Sequence, residues 1–275
     1  ATEPQEGTFF LQNVYAAWPP LPEETIERLR IVQVLPKATP HINAPSVGIA
    51  NASPGKQVLG TVPVEPDGSA CFRAPAGIPL AFQALDSRGR AVQVMRSLTY
   101  LQPCENASCI GCHEPRIAAP DRQPMAQALQ RPPSIIEPGP DGSRPLSYPL
   151  LVQPILERHC VSCHSGQEPD GGILLTAAPE GHYTTSYNAL APRVRFSAWG
   201  VPGDFRKTNS EPMTRPGFFG ARGSPLMQLL LDGHEDVVLS DAEIERLATW
   251  MDANALFYGT FDPADQARQQ RGERI

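Results

Sequence analysis

The sequence lacks any apolar run long enough to span a bilayer, so no transmembrane segment is expected. It also lacks a basic stripe: 23 Lys and Arg stand against 29 Asp and Glu, a net charge of −6, which argues against nucleic acid as a partner. No leader peptide is visible, because the chain opens with the polar residues Ala1–Gln5. We therefore expect a leader already removed or a piece of a longer protein.

Cysteine is scarce, and its placement is informative. Four of the six cysteines fall into two CxxCH motifs, Cys109–His113 (CIGCH) and Cys160–His164 (CVSCH). In such a motif two thiols add to the two vinyl groups of one haem, and the histidine that follows supplies an axial nitrogen to the iron. The motifs therefore predict two covalently bound haem c groups, with His113 and His164 as proximal ligands.

Two other uses of a CxxC pair fit less well. A zinc ribbon needs two closely spaced pairs, whereas 47 residues separate Cys112 from Cys160, and the following histidines would have no role in it. A thioredoxin-like redox pair needs a βαβ context and would not be expected twice. Haem attachment of this type takes place outside the cytoplasm, so we expect a periplasmic or otherwise extracytoplasmic protein.

Cys71 and Cys104 remain after the motifs are counted. The expected compartment permits disulfides, and we favour a bond between these two thiols. A thiolate ligand to haem or another metal is the alternative, because Cys104 lies only five residues before Cys109.

The pattern along the chain predicts an α+β protein of two haem-bearing domains. Residues 1–117 are rich in short apolar strands separated by turn residues, which indicates a small β-sandwich-like domain ending at the first motif. Residues 118–147 are interrupted by prolines and are predicted to be a semi-rigid linker. Residues 148–275 are predicted to be a mainly α cytochrome c domain. Strands are expected at 8–15, 30–35, 58–64, 69–72, 79–85 and 91–95, and helices at 150–160, 224–231 and from a Ser240–Glu243 capping box onward.

The sixth ligand of the second haem is expected from the region before the last long helix. His234 lies there, just before the capping box, and is our candidate. Met213 and Met227 are rivals, although Met227 on a helix is better explained as core packing. His182 is interpreted as solvated.

The sixth ligand of the first haem is less well defined. His41 is a candidate, and Met95 is another, although its place in a strand favours core packing. An open sixth position is equally compatible with the sequence, and it would distinguish a catalytic haem from one that only carries electrons. No catalytic residue is identified.

The sequence resembles the middle and C-terminal domains of hydrazine synthase alpha-subunit-like dihaem c-type cytochromes. The resemblance rests on four segments: 58–69, 95–100, 109–116 and the Gly233–Val237 region with its following helix. It implies a β-domain with one haem, a cytochrome c domain with another, and His164 and His234 as the axial pair of the second haem. The N-terminal propeller of that subunit is absent here, which suggests a missing domain or a partner subunit.

The resemblance also implies one difference at the first haem. In the hydrazine-forming subunit a tyrosine four residues after the motif histidine binds the iron, and the histidine itself binds zinc. Ile117 occupies that position here and cannot act as a ligand, so His113 is expected to bind iron. The added Cys71 and Cys104 are not part of the family pattern.

Three functions remain open from the sequence. The first, which we favour, is electron transfer in the periplasm between redox partner proteins. The second is a haem enzyme or enzyme subunit, in which haem one acts on a small nitrogen or oxygen species and haem two relays electrons. The third is an interaction module in which the β-domain binds a partner.

Overall fold

The computed structural model describes residues 5–22, 25–37, 39–41, 44–113, 125–139, 141–197 and 214–275. Its strands are β1 Glu6–Leu11, β2 Arg28–Val34, β3 Lys56–Pro63, β4 Ala70–Pro75, β5 Leu80–Leu85, β6 Ala91–Val94, β7 Asn106–Cys109, β8 Arg144–Pro145, β9 Pro179–Glu180 and β10 Tyr183–Thr184. Its α-helices are α1 Tyr148–Leu151, α2 Gln153–His159, α3 Thr185–Leu190, α4 Gly220–Gly223, α5 Pro225–Asp232, α6 Asp241–Asp252 and α7 Pro263–Gln270. The expected mixture of α and β structure is confirmed.

Two sheets form the N-terminal part of the fold. One has the strand order β4-β1-β7 and the other the order β6-β5-β2-β3-β8. Phe9 and Phe72 from the first sheet meet Phe82 from the second, with ring centroids 5.1–5.7 Å apart. The sheets therefore share one apolar core, and each buried phenylalanine contributes about 1.5–3 kcal/mol to its stability.

The six predicted strands correspond to β1 to β6, with ends shifted by a few residues. Strand β7, which runs parallel to β1 and ends at Cys109, was not predicted from the sequence. Its four residues have no apolar alternation, so its strand conformation follows from pairing with β1.

The described part of the predicted linker lies against the second sheet and its neighbours. Ser134 bridges to Phe72, Glu137 pairs with Thr61, and β8 pairs with β3. These residues therefore contribute to the β-structure, while the domain boundaries at 117 and 147 stay a prediction.

The helices surround a second core that is rich in aromatic residues. Tyr148 at the start of α1 stacks on Phe257 at 5.4 Å and packs against Trp250 of α6 at 5.3 Å. The Trp250 indole Nε1 donates to the carbonyl of Leu256, which satisfies its one buried polar atom. The predicted capping box of α6 is confirmed, with Ser240 and Glu243 bonding each other's backbone amides.

The C-terminal segment contains a helix that was not predicted from its polar sequence. Helix α7 forms there, and the Asp262 side chain accepts from the amides of Ala264 and Asp265 at its first turn. The buried Gln269 amide then donates to the Leu146 carbonyl at 3.0 Å. Because glutamine can bury its stem while its amide is bonded, a polar sequence concealed this contact. No helix in the described ranges is long and apolar enough to cross a membrane.

A buried ion pair connects the second sheet with α6. The guanidinium of Arg30 on β2 lies 3.1 Å from the carboxylate of Asp252, and the two side chains are 2% and 0% exposed. Asp252 also accepts from the amides of Ala91 and Ala221, both at 2.9 Å. Every charged atom of this carboxylate thus has a donor, as a buried charge requires.

Candidate haem sites

The first CxxCH motif begins at the end of β7, an edge strand. Cys109 pairs with Leu11 of β1, and its carbonyl accepts from the Gln12 amide at 2.9 Å. A Cβ on Gly111 would lie 1.8 Å from the Ala16 carbonyl oxygen, so only glycine fits at position 111. His113 has a positive φ of 86°, a conformation that is uncommon for a residue with a side chain.

A cavity of about 470 Å³ lies beside this motif. Its walls come from both sheets, and β7 and β6 are the edge strands of those sheets. The lining residues that argue for a haem are the motif's own Cys109, Cys112 and His113 and the phenylalanines Phe9, Phe10, Phe72 and Phe82. An apolar, aromatic cleft next to two thiols and an imidazole has the donor set and the polarity that a covalent haem requires.

Two candidates for the sixth ligand of this haem are placed differently. Met95 lines the cavity, directly after β6. His41 is exposed, forms a bridge with Ala44, and is not among the residues that line the cavity. Ile117 lies outside the described residues, as does Met213.

The second motif follows α2 directly. Cys160 is the C-terminal cap of that helix, and its carbonyl accepts from the amides of Cys163 and His164, at 3.2 and 3.0 Å. One turn of chain therefore brings both thiols and the histidine to the same end of the helix. The Nδ1 of His164 lies 3.2 Å from the Ile173 carbonyl oxygen. Since a carbonyl only accepts, Nδ1 carries the proton and Nε2 is left free to bind a metal.

His234 lies opposite His164. Their ring centroids are 6.0 Å apart, and the ring planes differ by 19°. A metal–nitrogen bond is about 2.0–2.1 Å, so two imidazoles on opposite sides of one metal have centroids about 6 Å apart. The spacing therefore matches a haem iron held between the two rings, and the residues present fit a bis-histidine haem.

His234 reaches this place because α5 ends two residues earlier, at Asp232. Gly233 caps the helix at a φ of 100°, and the His234 carbonyl then accepts from the Val237 amide before Ser240 opens α6. Of its sequence rivals, Met227 is 1% exposed within the aromatic core, which confirms its interpretation as packing. His182 is exposed, as expected.

The expected disulfide does not form. Cys71 and Cys104 are both free thiols, one buried and one exposed. Cys71 lies opposite Phe10 on one side of β1, whereas the Cys104 amide bonds Glu6 on the other side. The two residues lie two strand spacings apart across β1, and their partners on β1, Phe10 and Glu6, are four residues apart. The Cα atoms of Cys71 and Cys104 are therefore separated by roughly 15 Å. Disulfide-bonded Cα atoms lie about 4.4–6.8 Å apart. Burial also raises the pKa of the Cys71 thiol.

Among the described residues, no group of three or more His, Cys, Asp and Glu side chains is arranged to hold a metal ion. In those residues the two CxxC pairs therefore do not combine into one tetrahedral zinc centre.

A polar contact beside the second motif was missed in the sequence. His159, which directly precedes Cys160, has its Nε2 3.0 Å from the Glu243 carboxylate, and Arg158 bonds the same oxygen. This carboxylate thus connects the end of α2 to the start of α6. Burial alone would raise the pKa of Glu243, but bonds from Ser240 and His159 outweigh it and hold the pKa at about 2.

The stability of the protein is expected to decrease as the pH falls from about 4.5 to about 2 because Glu243 becomes protonated. A carboxyl whose pKa is depressed in the folded state stabilises the fold above its unfolded pKa and loses that contribution on acidification. Urea unfolding midpoints measured across this range should show a smaller decrease for Glu243→Gln, which keeps the capping bonds but cannot ionise. Equal slopes for the two proteins would contradict this role of Glu243.

The chain is similar to known proteins in part of its sequence and in its fold. Residues 24–114 match the family described as the hydrazine synthase alpha subunit middle domain. The structure is similar to that of a chain of Kuenenia stuttgartiensis hydrazine synthase, with a TM-score of 0.63 and 18% identity over 93% of this chain. The chain spans 44% of the length of that solved chain. A comparison with curated protein sequences found no match.

These comparisons confirm the resemblance and place the first CxxCH motif inside the matched segment. At 18% identity the structural match shows a shared fold. Because the family is named for an enzyme subunit, the findings favour the second function left open by the sequence over the electron carrier that we favoured.

Proposed function

From the hydrazine synthase alpha-like middle domain in residues 24–114, we propose that this chain is the dihaem part of an oxidoreductase or one of its subunits. Cys109 and Cys112 would hold a first haem, which would supply redox chemistry for a small nitrogen or oxygen species. Cys160 and Cys163 would hold a second haem, which would supply electron transfer. The observation that carries the proposal is the cavity of about 470 Å³ that the first motif lines within the matched segment.

The residues at the two sites have different roles. His113 would hold the first haem through its imidazole, and the phenylalanines around the cavity would exclude water from it. His164 and His234 would together hold the second haem and leave no position for a substrate, so that haem would supply electron transfer. The haems supply one-electron chemistry when bound.

Formation of hydrazine itself is not part of the proposal. Ile117 replaces the tyrosine that binds iron in the hydrazine-forming subunit, so the ligands at haem one differ. A haem ligated by His113 alone would still bind a small molecule at its sixth position. We therefore limit the substrate to a small nitrogen or oxygen species.

The proposal also covers the compartment of the protein and its partners. Because haem c is attached outside the cytoplasm, the proposal includes an extracytoplasmic location, which in bacteria is the periplasm. The family description names an alpha subunit, and the chain spans 44% of the matched chain. We accordingly include a partner subunit or a further domain, together with a redox partner protein.

Carbon monoxide is expected to bind about half of the haem in the reduced protein, because only haem one has a free axial position. The measurement is the visible spectrum of the protein matured with haem c, recorded with and without the gas, after a haem-to-protein ratio near two has been established. If carbon monoxide binds none of the haem, neither haem has a free position, and the electron-carrier hypothesis is the better one. A protein without c-type absorption bands would exclude both functions.

A further inference from the structure

A second cavity, of about 140 Å³, lies where the second sheet meets the helices. Its walls come from β3 and β8 on one side and from α1 and α6 on the other. Among the described residues that line it there is no cysteine and no histidine, so it is separate from both candidate haem sites. Apolar side chains form much of its wall: Val58, Pro145, Leu146, Leu150, Leu151 and Ala242.

Two carboxylates on the wall of this cavity already have an arginine partner. The Asp141 carboxylate lies 2.9 Å from Nε of Arg246, and the Glu245 carboxylate lies 3.2 Å from Nη1 of Arg28. Within the described ranges no third carboxylate lines the cavity. Each negative charge at the cavity is therefore balanced by a neighbouring guanidinium and gives little repulsion to an anion.

Two arginines on the same wall have no such partner. Arg30 lines the cavity but forms the buried ion pair with Asp252. The guanidinium groups of Arg144 and Arg274, in contrast, form no hydrogen bond or ion pair within the part of the chain that the structure describes. Arg274 is exposed, whereas Arg144 is partly buried. The cavity therefore carries an excess of positive charge, and the partly buried Arg144 is the better placed to bind an anion.

Strand pairing directs the Arg144 side chain towards the cavity. Arg144 on β8 is paired with Val58 on β3, and paired residues of an antiparallel ladder have their side chains on the same face of the sheet. Val58 packs against the helical core, so this face is the one that meets α1 and α6. Nε of Arg144 is fully buried, while its two Nη atoms keep accessible surface. The Nη atoms are therefore the donors that a ligand in the cavity can reach.

We propose that this cavity binds a small organic monocarboxylate, with its carboxylate on the Nη atoms of Arg144 and its apolar body against the aliphatic wall. An apolar cavity of about 150 Å³ accommodates a benzene ring, so a body of that size fits here. A planar guanidinium offers two parallel donors to a carboxylate, and these bonds are strengthened because both groups are charged. An inorganic oxyanion would use the charge of Arg144 but would leave the apolar wall without a contact.

Isothermal titration calorimetry of the haem-loaded protein with sodium benzoate and with benzamide tests the proposal. The two probes share a ring, but only benzoate is charged. Benzoate is expected to bind about tenfold more tightly, the effect of a hydrogen bond between charged groups. Arg144→Met should remove this advantage and leave benzamide affinity within about twofold. Arg88→Met is the matched control, because Arg88 is exposed and lies outside the cavity wall, and it should bind benzoate as the wild type does.

Arg274→Met provides a second variant if Arg144→Met does not fold, because Arg274 is exposed and its guanidinium has no contact to lose in the described structure. It should weaken benzoate binding about twofold to fivefold, the effect of one exposed charge. Equal affinities for benzoate and benzamide, or inorganic phosphate bound as tightly as benzoate, would overturn the carboxylate site. A change of the visible haem bands on adding benzoate would place the probe at a haem iron and would also overturn it.

Discussion

Replacing His234 with alanine is expected to turn haem two from a six-coordinate into a five-coordinate haem. The ring of His234 stands 6.0 Å from that of His164, the spacing for one iron between two imidazoles. Removal of one ring leaves the sixth position open to outside ligands. In the reduced protein carbon monoxide should then bind all of the haem, compared with about half in the wild type.

Imidazole added to the His234→Ala protein is expected to reverse this change. A free imidazole can enter the space that the side chain leaves and restore a bis-nitrogen iron, whereas a variant that had lost its fold would not recover. His182→Ala is the matched control, because His182 is exposed; its carbon monoxide binding should equal that of the wild type. Unchanged carbon monoxide binding in His234→Ala would show that His234 is not a ligand of the iron.

The His41→Ala variant tests whether His41 is the sixth ligand of haem one. His41 is exposed and does not line the cavity. The spectrum of haem one would change in this variant only if His41 reaches the iron. The sequence could nominate His41 because histidines are few, but the sequence separation of 72 residues from His113 says nothing about distance.

The features that could be predicted from the sequence are those set by short-range chemistry. The CxxCH motif is defined by five consecutive residues. The Ser240–Glu243 capping box is defined by four. Alternating apolar residues placed β1 to β6 within a few residues of their ends. His234 can be proposed as a ligand from the sequence because its place before the last long helix is set by chain order.

The features that could not be predicted depend on which segments meet in space. Strand β7 exists because β1 offers it hydrogen bonds, and Gln269 is buried because α7 packs beside Leu146. The free thiols of Cys71 and Cys104 follow from their places on opposite sides of β1. The even number of cysteines allows a disulfide but does not show how far apart two cysteines lie. The pairing of Cys71 with Cys104 could therefore be tested only once the strand order of the sheet was known.

The Arg30–Asp252 ion pair is a contact of the same kind, across 222 positions of sequence. Burial raises the pKa of Asp252, while Arg30 and the amides of Ala91 and Ala221 lower it. The desolvation of the carboxylate is therefore the larger effect on its pKa, while Arg30 and the two amides supply the hydrogen bonds that a buried carboxylate needs. In addition, the Gln83 amide on β5 donates to the Asp252 carbonyl at 2.9 Å, which joins a second strand to the same helix end.

Asp252→Ala is expected to lower the free energy of unfolding by about 3–5 kcal/mol, because it leaves the Arg30 guanidinium buried without a partner charge. Urea unfolding of the haem-loaded protein, followed by circular dichroism, measures the change. Glu6→Ala is the matched control: its ion pair with Arg73 is exposed, and its loss should cost less than about 1 kcal/mol.

The double variant Arg30→Met, Asp252→Leu separates the cost of an unpaired charge from the value of the pair. If desolvation nearly cancels the attraction, two apolar side chains of similar volume should regain most of the stability lost in Asp252→Ala. The amides of Ala91 and Ala221 would then lack their acceptor, so recovery should stop short of the wild type. A double variant no more stable than Asp252→Ala would show that those two amide bonds, and not the charge of Arg30, account for the loss.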